Sequence, residues 1–347
     1  MIKQSPVGKH INYEGLTAPV SVAELRAYRL SLPQKERIIP VLMIIASVLV
    51  FGLGGIANLA AGTKVGTIAG IVLLLVSAGV SWVMLYYFRQ INKRAIRLMR
   101  FAGSNGWTYE RSRSSWMHQG MIFQIGHSRK LMNIVSFQAT ETSPGFEIGE
   151  YTYTVGHGKN RQTHWWTYCA VDLDRNVPHM VLDSQHNNVR LFGKDLMSNL
   201  PASFKRDQVL ALEGDFNKYF TLYAPVEYKR DAYYVFTPDL MALLIDTSSA
   251  YDAEVIDNKI YFYAPSSGSA RLLVEPTAMY RWLQIIHAVG MKMNRQTDYY
   301  AGENIGNRAA DTVAASGKRL KQGVSWIAIA IVALVVIINI LSGFLSR

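Results

Sequence analysis

The sequence has a single cysteine, Cys169, among 347 residues. That excludes an intrachain disulfide framework and fits a reducing compartment. It also lacks the spacings that mark common chemistries. There is no GxxxxGK[ST] loop, no HExxH or CxxC pair and no GxSxG elbow, so nothing calls for a cofactor, a metal or a serine nucleophile. Gly156-His157-Gly158-Lys159 has the composition of a phosphate loop but lies between predicted strands, and it reads as a hairpin turn. His157, His164, Cys169, His179 and His186 do not form a ligand set: no close His pair exists, and positions 164 and 169 of one strand face opposite sides. Cys169 reads as a buried structural thiol. Glu213 and Asp215 read as a turn before a strand, not as a paired acid and base.

Charge is missing from three long stretches. None occurs in Ile38–Thr63, Val65–Phe88 or 322–346, and each run meets the roughly 20 residues needed to cross hydrocarbon. The first follows a polar leader of 37 residues, too late and too long for a signal peptide. We therefore expect three transmembrane helices, the first two (38–62 and 65–88) joined by a tight turn at Lys64. Gly66, Gly70, Ser77 and Ser81 form a stripe of small residues expected to pack against the first span.

The net charge of +11 is concentrated beside these runs. Residues 1–37 hold six basic and three acidic residues, 89–100 hold five basic residues and no acid, and Lys318, Arg319 and Lys321 precede the last run. Between 101 and 317 there are 20 basic and 22 acidic residues, so the intervening domain has no basic excess and nucleic acid is not an expected partner. The basic flanks predict a cytoplasmic N-terminus and main domain, with the Lys64 turn and the C-terminus outside, in a multi-pass protein of the cell membrane. Arg89, Lys93, Arg97 and Arg100 recur on one face of a helix (89–103) that continues the second span, positioned for anionic lipid headgroups of the bilayer. In the leader, Ser21 and Glu24 form a capping box for a helix that ends before Pro33.

From 104 to 294 the pattern is α+β. Met121–Ile125, Ile134–Phe137, Phe146–Val155 and Thr163–Asp172 read as strands, joined in the last case by a GHGKNRQ hairpin loop. Phe216–Tyr223 and Tyr233–Phe236 read as extended. A helix is expected from Pro238 through Leu243, then a hairpin of Glu254–Ile256 and Ile260–Tyr263 turning at Asp257-Asn258. A further strand, Arg271–Val274, and a helix from Pro276 to Met293 follow. Residues 295–321, poor in large apolar side chains, read as a flexible tether.

The phrases GMIFQIGHSR, FEIGEYTYTVGHGKNRQTHWW, LEGDFNKYFTLYAP and YYVFTPDLMALLID, spread over 101–293, resemble an uncharacterised bacterial membrane-anchored family defined only as a domain of unknown function. The resemblance implies a transmembrane hairpin followed by a cytoplasmic domain, and it brings no catalytic residues with it. The third span departs from that arrangement.

The candidate binding patch is the hairpin loop with its flanks: His157, Lys159, Arg161, His164, Trp165 and Trp166. Adjacent indoles on a strand face opposite sides, so one is expected in the core and the other beside the basic loop. The function expected is a membrane-anchored binding or scaffold module with an unknown protein partner. The alternatives are a membrane-tethered hydrolase or transferase with a dispersed site, and an accessory subunit of a transport or envelope complex.

Overall fold

The structure, a computed structural model, describes residues 11–115, 118–140, 143–191, 194–266, 272–296 and 319–322. The described residues divide into two compact units, 12–104 and 105–322.

In the first unit a short turn of helix, α1 (Glu14–Thr17), leads to α2 (Val22–Ser31). Ser21 and Glu24 make both bonds of the capping box, side chain to backbone N–H in each direction. The first long helix is built from α3 (Gln34–Ser47), a π-helical turn at Val48–Gly52 and α4 (Leu53–Ala60). After the turn at Gly62 comes α5 (Lys64–Ser104), 41 residues long, or about 60 Å at the α-helical rise. Both are long and apolar enough to cross a membrane. They touch where side chains are smallest. A methyl group on Gly70 would lie 2.7 Å from the Gly55 carbonyl oxygen, and one on Gly66 2.7 Å from that of Asn58. The small-residue stripe thus lets the backbones meet, and Ser77 is buried with it. The basic stretch 89–103 continues α5 without a break. Residues 323–346 of the third apolar run and residues 297–318 of the expected tether lie outside the described residues.

The second unit is an α+β fold around an antiparallel sheet. Its strands are β1 (Thr108–Arg113), β2 (His127–Phe137), β3 (Phe146–Val155), β4 (Gln162–Ser184), β7 (Val209–Leu210), β8 (Phe220–Tyr223) and β9 (Asp252–Pro265); a separate pair is formed by β5 (Val189–Leu191) and β6 (Lys194–Met197). β4 is the spine. Its first half pairs with β3 and its last residues with β8 along one edge, while β9 covers the opposite edge from Trp166 to Leu182. One face carries a cluster in which Tyr151, Tyr168, Tyr261 and Tyr263 surround Phe123. The other is covered by α8 (Pro276–Ile285) and the π-helical turn Ile286–Gly290 that extends it; a methyl group on Gly290 would come within 2.8 Å of Val171. With both faces covered, β4 is buried almost continuously from Trp166 to Val171, and its alternation is hidden.

The structure departs from the sequence reading in six places. Phe216–Lys218, expected to be extended with the residues after it, is a 3-10 turn that buries Phe216, and only Phe220–Tyr223 forms strand. Met121–Gln124 is a 3-10 turn whose apolar side chains plug the tyrosine face, not a strand. Short apolar runs satisfy either reading, and here the flanking Gly120 and Gly126 end it. Tyr233–Phe236 is not a strand: Tyr233–Val235 close α6 (Lys229–Val235) and Phe236 is its C-cap, and the helix buries Ala232 and Val235 at helical spacing and leaves both tyrosines exposed. Glu254–Tyr263 is one strand, not a hairpin. Asp257 adopts a left-handed φ of 51° inside an irregular register opposite Val177, so the Asp-Asn signal marks a bulge. Leu272–Val274 is a 3-10 turn, not a strand. Lastly, Arg319–Lys321, expected in the tether, is held against the sheet domain. The helix expected at 238–243 is α7 (Pro238–Ser248), longer than its pattern suggested.

Candidate functional site

The β3–β4 hairpin is shaped by Gly156. Its φ is 74°, and a Cβ there would sit 2.4 Å from the Asn160 carbonyl oxygen, so only glycine fits. His157 follows, then a 3-10 turn, Gly158–Asn160, before β4 begins. The His157 ring stacks on His127 of β2 at 4.8 Å with 3° between planes. His127 is fixed in turn, its Nε2 2.9 Å from the Gly156 carbonyl oxygen. His164 stacks on Tyr153 at 5.0 Å. Lys159 and Arg161 are exposed at the tip, Trp165 is half-buried and Trp166 lies in the core. Five of the six expected patch residues therefore share this end of the sheet outside the core.

The start of β2 adds Arg129 and Lys130, both exposed. No acidic residue occurs in 118–130 or in 151–171, so the end of the sheet formed by β2, β3 and β4 carries four permanent cations and three histidines of its own.

Beside Arg129 is a polar cavity of about 360 Å³ lined by Ser114, Ser115, His118, Phe123, Gln124 and Arg129. Arg129 is aimed by a 2.8 Å bond from its Nη1 to the Phe123 carbonyl oxygen. His118 lies flat against Phe123, ring centres 4.8 Å apart. Its Nε2 is 2.8 Å from Glu147 Oε1 and its Nδ1 3.3 Å from the Tyr261 hydroxyl. Burial raises the Glu147 carboxyl, but His118, Tyr168 and Arg113 outweigh that and hold it down at about 2. Behind them burial pushes Tyr168 and Cys169 well up, keeping both protonated. The cavity offers hydroxyls, an amide, an imidazole edge and a guanidinium, groups that suit an anionic or hydrogen-bonding ligand.

A second cluster is linked to this one through the stacked pair Tyr261 and Tyr263. Glu254, with no exposed surface, accepts from Met121 N–H at 2.7 Å and Tyr263 O–H at 2.7 Å, and lies 2.8 Å from His179 Nε2. The sequence reading singled out neither glutamate. Each sits in a largely buried strand, where a charge set among aromatic and aliphatic neighbours must find partners. Its partners come from distant strands and cannot be read locally. His186 stacks on Tyr219 at 5.6 Å. Glu213 and Asp215 flank the Gly214 turn, Asp215 pairing with Lys218. Among the described residues no group of three or more His, Cys, Asp or Glu is placed to hold a metal ion.

Of the residues expected at lipid headgroups, Arg89, Lys93 and Arg97 lie along α5. Arg100 is committed elsewhere: it pairs with Glu24 of α2 and donates to the Pro19 carbonyl oxygen at 3.2 Å.

These features define an α+β protein with two helices of membrane-crossing length. No family model matches the chain, and no curated protein matches it. Among solved structures, it is similar to the crystal structure of the mycobacterial trehalose monomycolate transport factor A, TtfA, with 13% identity over 56% of this chain and 96% of that one and a TM-score of 0.33. At that score the likeness carries no argument about function.

Proposed function

We propose that the chain is a multi-pass protein of the cell membrane whose cytoplasmic sheet domain binds an acidic protein segment at the end formed by β2, β3 and β4. The observation that supports this reading is the acid-free surface bearing Arg129, Lys130, Lys159 and Arg161, with His127 and His157 stacked at its centre. A surface of one sign, with aromatic planes held rigid, steers and seats an opposite charge at little ordering cost. The two long helices anchor it, and the basic residues along α5 face anionic headgroups. Kinship with the membrane-anchored family of unknown function belongs to the same proposal.

The test is in-cell cross-linking followed by gentle solubilisation, comparing the native chain with the double variant Lys159→Glu, Arg161→Glu. The expected result is one stoichiometric protein partner that the variant loses while its unfolding temperature is unchanged. A native chain that recovers no protein partner, or a variant that keeps it, overturns the reading.

One observation favours a membrane-tethered hydrolase or transferase instead: His118 is oriented by a carboxylate on a cavity wall, as a general base would be. Against it, both ring nitrogens of His118 already have partners within the fold.

A further inference from the structure

Residues 319–322 form a short segment laid against the sheet domain and joined to it by one isolated antiparallel bridge. Every link to it follows the chemistry of peptide recognition. The Leu320 side chain is buried in the tyrosine cluster with 6% exposure. Leu320 N–H donates to His179 Nδ1 at 3.1 Å. At Lys321 a single side-chain amide holds the main chain from both sides: the N–H donates to Gln208 Oε1 at 2.8 Å, and Gln208 Nε2 donates to the carbonyl oxygen at 2.8 Å. Lys205 N–H reaches the same carbonyl at 3.3 Å, and Phe204 bridges Gln322 in antiparallel fashion. Arg319 lays a two-pronged guanidinium on the Asp257 carboxylate, at 3.1 and 2.9 Å, and also reaches Gln119.

The groove is constructed for such an occupant. Gln208 is 2% exposed and His179 6%, and a buried amide or imidazole costs free energy unless its polar atoms are partnered. Since Nδ1 accepts the Leu320 N–H, it is Nε2 that faces the Glu254 carboxylate, and the ring is held from both sides. Asp257, on the bulge of β9, supplies the charge that selects arginine. Amide clamp, apolar hole and carboxylate together read main chain, leucine and arginine in that order, the division of labour used when a domain takes an extended peptide.

We propose that this is a peptide-docking groove closed by the chain's own Arg319–Gln322, and that an extended Arg-Leu-Lys segment of a partner protein binds there by displacing those residues. The displaced segment forfeits only contacts the incoming one restores, so exchange is governed by concentration and not by refolding. This site is separate from the basic hairpin end and does not depend on it.

A fluorescent peptide of residues 316–323 tests the proposal on the full chain in detergent, read by anisotropy. Leu320→Asp in the chain opens the groove, and the peptide binds this variant about tenfold or more tighter than it binds the native chain. Gln208→Ala on the same background removes the binding, and a peptide carrying Asp in place of the leucine does not bind. Arg319→Glu, which loosens only the rim of the groove, supplies the same comparison if Leu320→Asp does not fold. Failure of both opened variants to bind the peptide, or equal binding of the Asp peptide, shows the segment to be a fixed part of the fold and overturns the proposal. Lys159→Glu with Arg161→Glu leaves peptide binding unaltered, which separates this outcome from that of the hairpin surface.

Discussion

Asp252 has no exposed surface and accepts from Ser184 N–H at 2.9 Å and from the Asn187 amide at 2.9 Å. Burial dominates these bonds and lifts its carboxyl to about 6. A raised folded value means that between pH 4 and 6 the folded state keeps a proton the unfolded chain has released. Stability from this residue is therefore full below about pH 4 and falls as pH rises to 6, by up to about 3 kcal/mol. Glu147 has the opposite sign: its contribution is present above the usual carboxylate range and is lost as pH falls toward 2. Asp252→Asn should flatten the fall in unfolding temperature between pH 4 and 6, and an unchanged slope would show that the carboxyl does not titrate there. Gly156 illustrates backbone strain. Gly156→Ala places a side chain at positive φ against Asn160 and should cost about 1–3 kcal/mol, measured as a lowered denaturant midpoint. At this scale the sequence was partly legible. The glycine loop and the tryptophan pair could be singled out from composition, and one indole does enter the core. His118, Glu147, His179 and Glu254 could not be paired, because their partners lie 29 and 75 residues away.

Elements with local signals were read well. The capping box of α2 needs only Ser21 and Glu24 three residues apart, and the bonds form as the spacing requires. Ser21→Ala should cost about 1 kcal/mol of local helix stability, seen as faster amide exchange across α2 with the rest of the chain unaffected. Arg100 supplies the tertiary part. Arg100→Ala removes its pairing with Glu24 and should speed exchange in α2 without altering the helicity of α5. Elements without local signals were misread. β9 has a turn-forming pair at its centre, yet β4 runs opposite both halves and keeps the strand continuous through the bulge. In α6 the aromatic run suggested a strand, but only Ala232 and Val235 face inward.

For the whole molecule, the proposed membrane orientation can be measured. Reporter fusions in the Lys64 turn and after Arg347 should be active outside, and fusions within the leader or after Ser104 should be active in the cytoplasm. A cytoplasmic reading at Lys64 would invert the hairpin and place the sheet domain outside. Equal labelling from both sides at Lys64 would mean that the hairpin does not cross at all.

The sequence by itself determined the two long apolar helices, the small-residue stripe of the second that includes Gly66 and Gly70, its basic continuation and the α+β character of the domain. These follow from hydrophobicity, residue size and charge within stretches of ten to forty residues. Tertiary structure decided the strand pairings beyond the β3–β4 hairpin, that β4 would be a 23-residue spine, and that Glu147 and Glu254 would each fix a histidine. It also decided that residues 319–322 would lie in a groove lined from four distant segments. Such pairings depend on contacts between residues far apart in the chain, and periodicity carries no information about them.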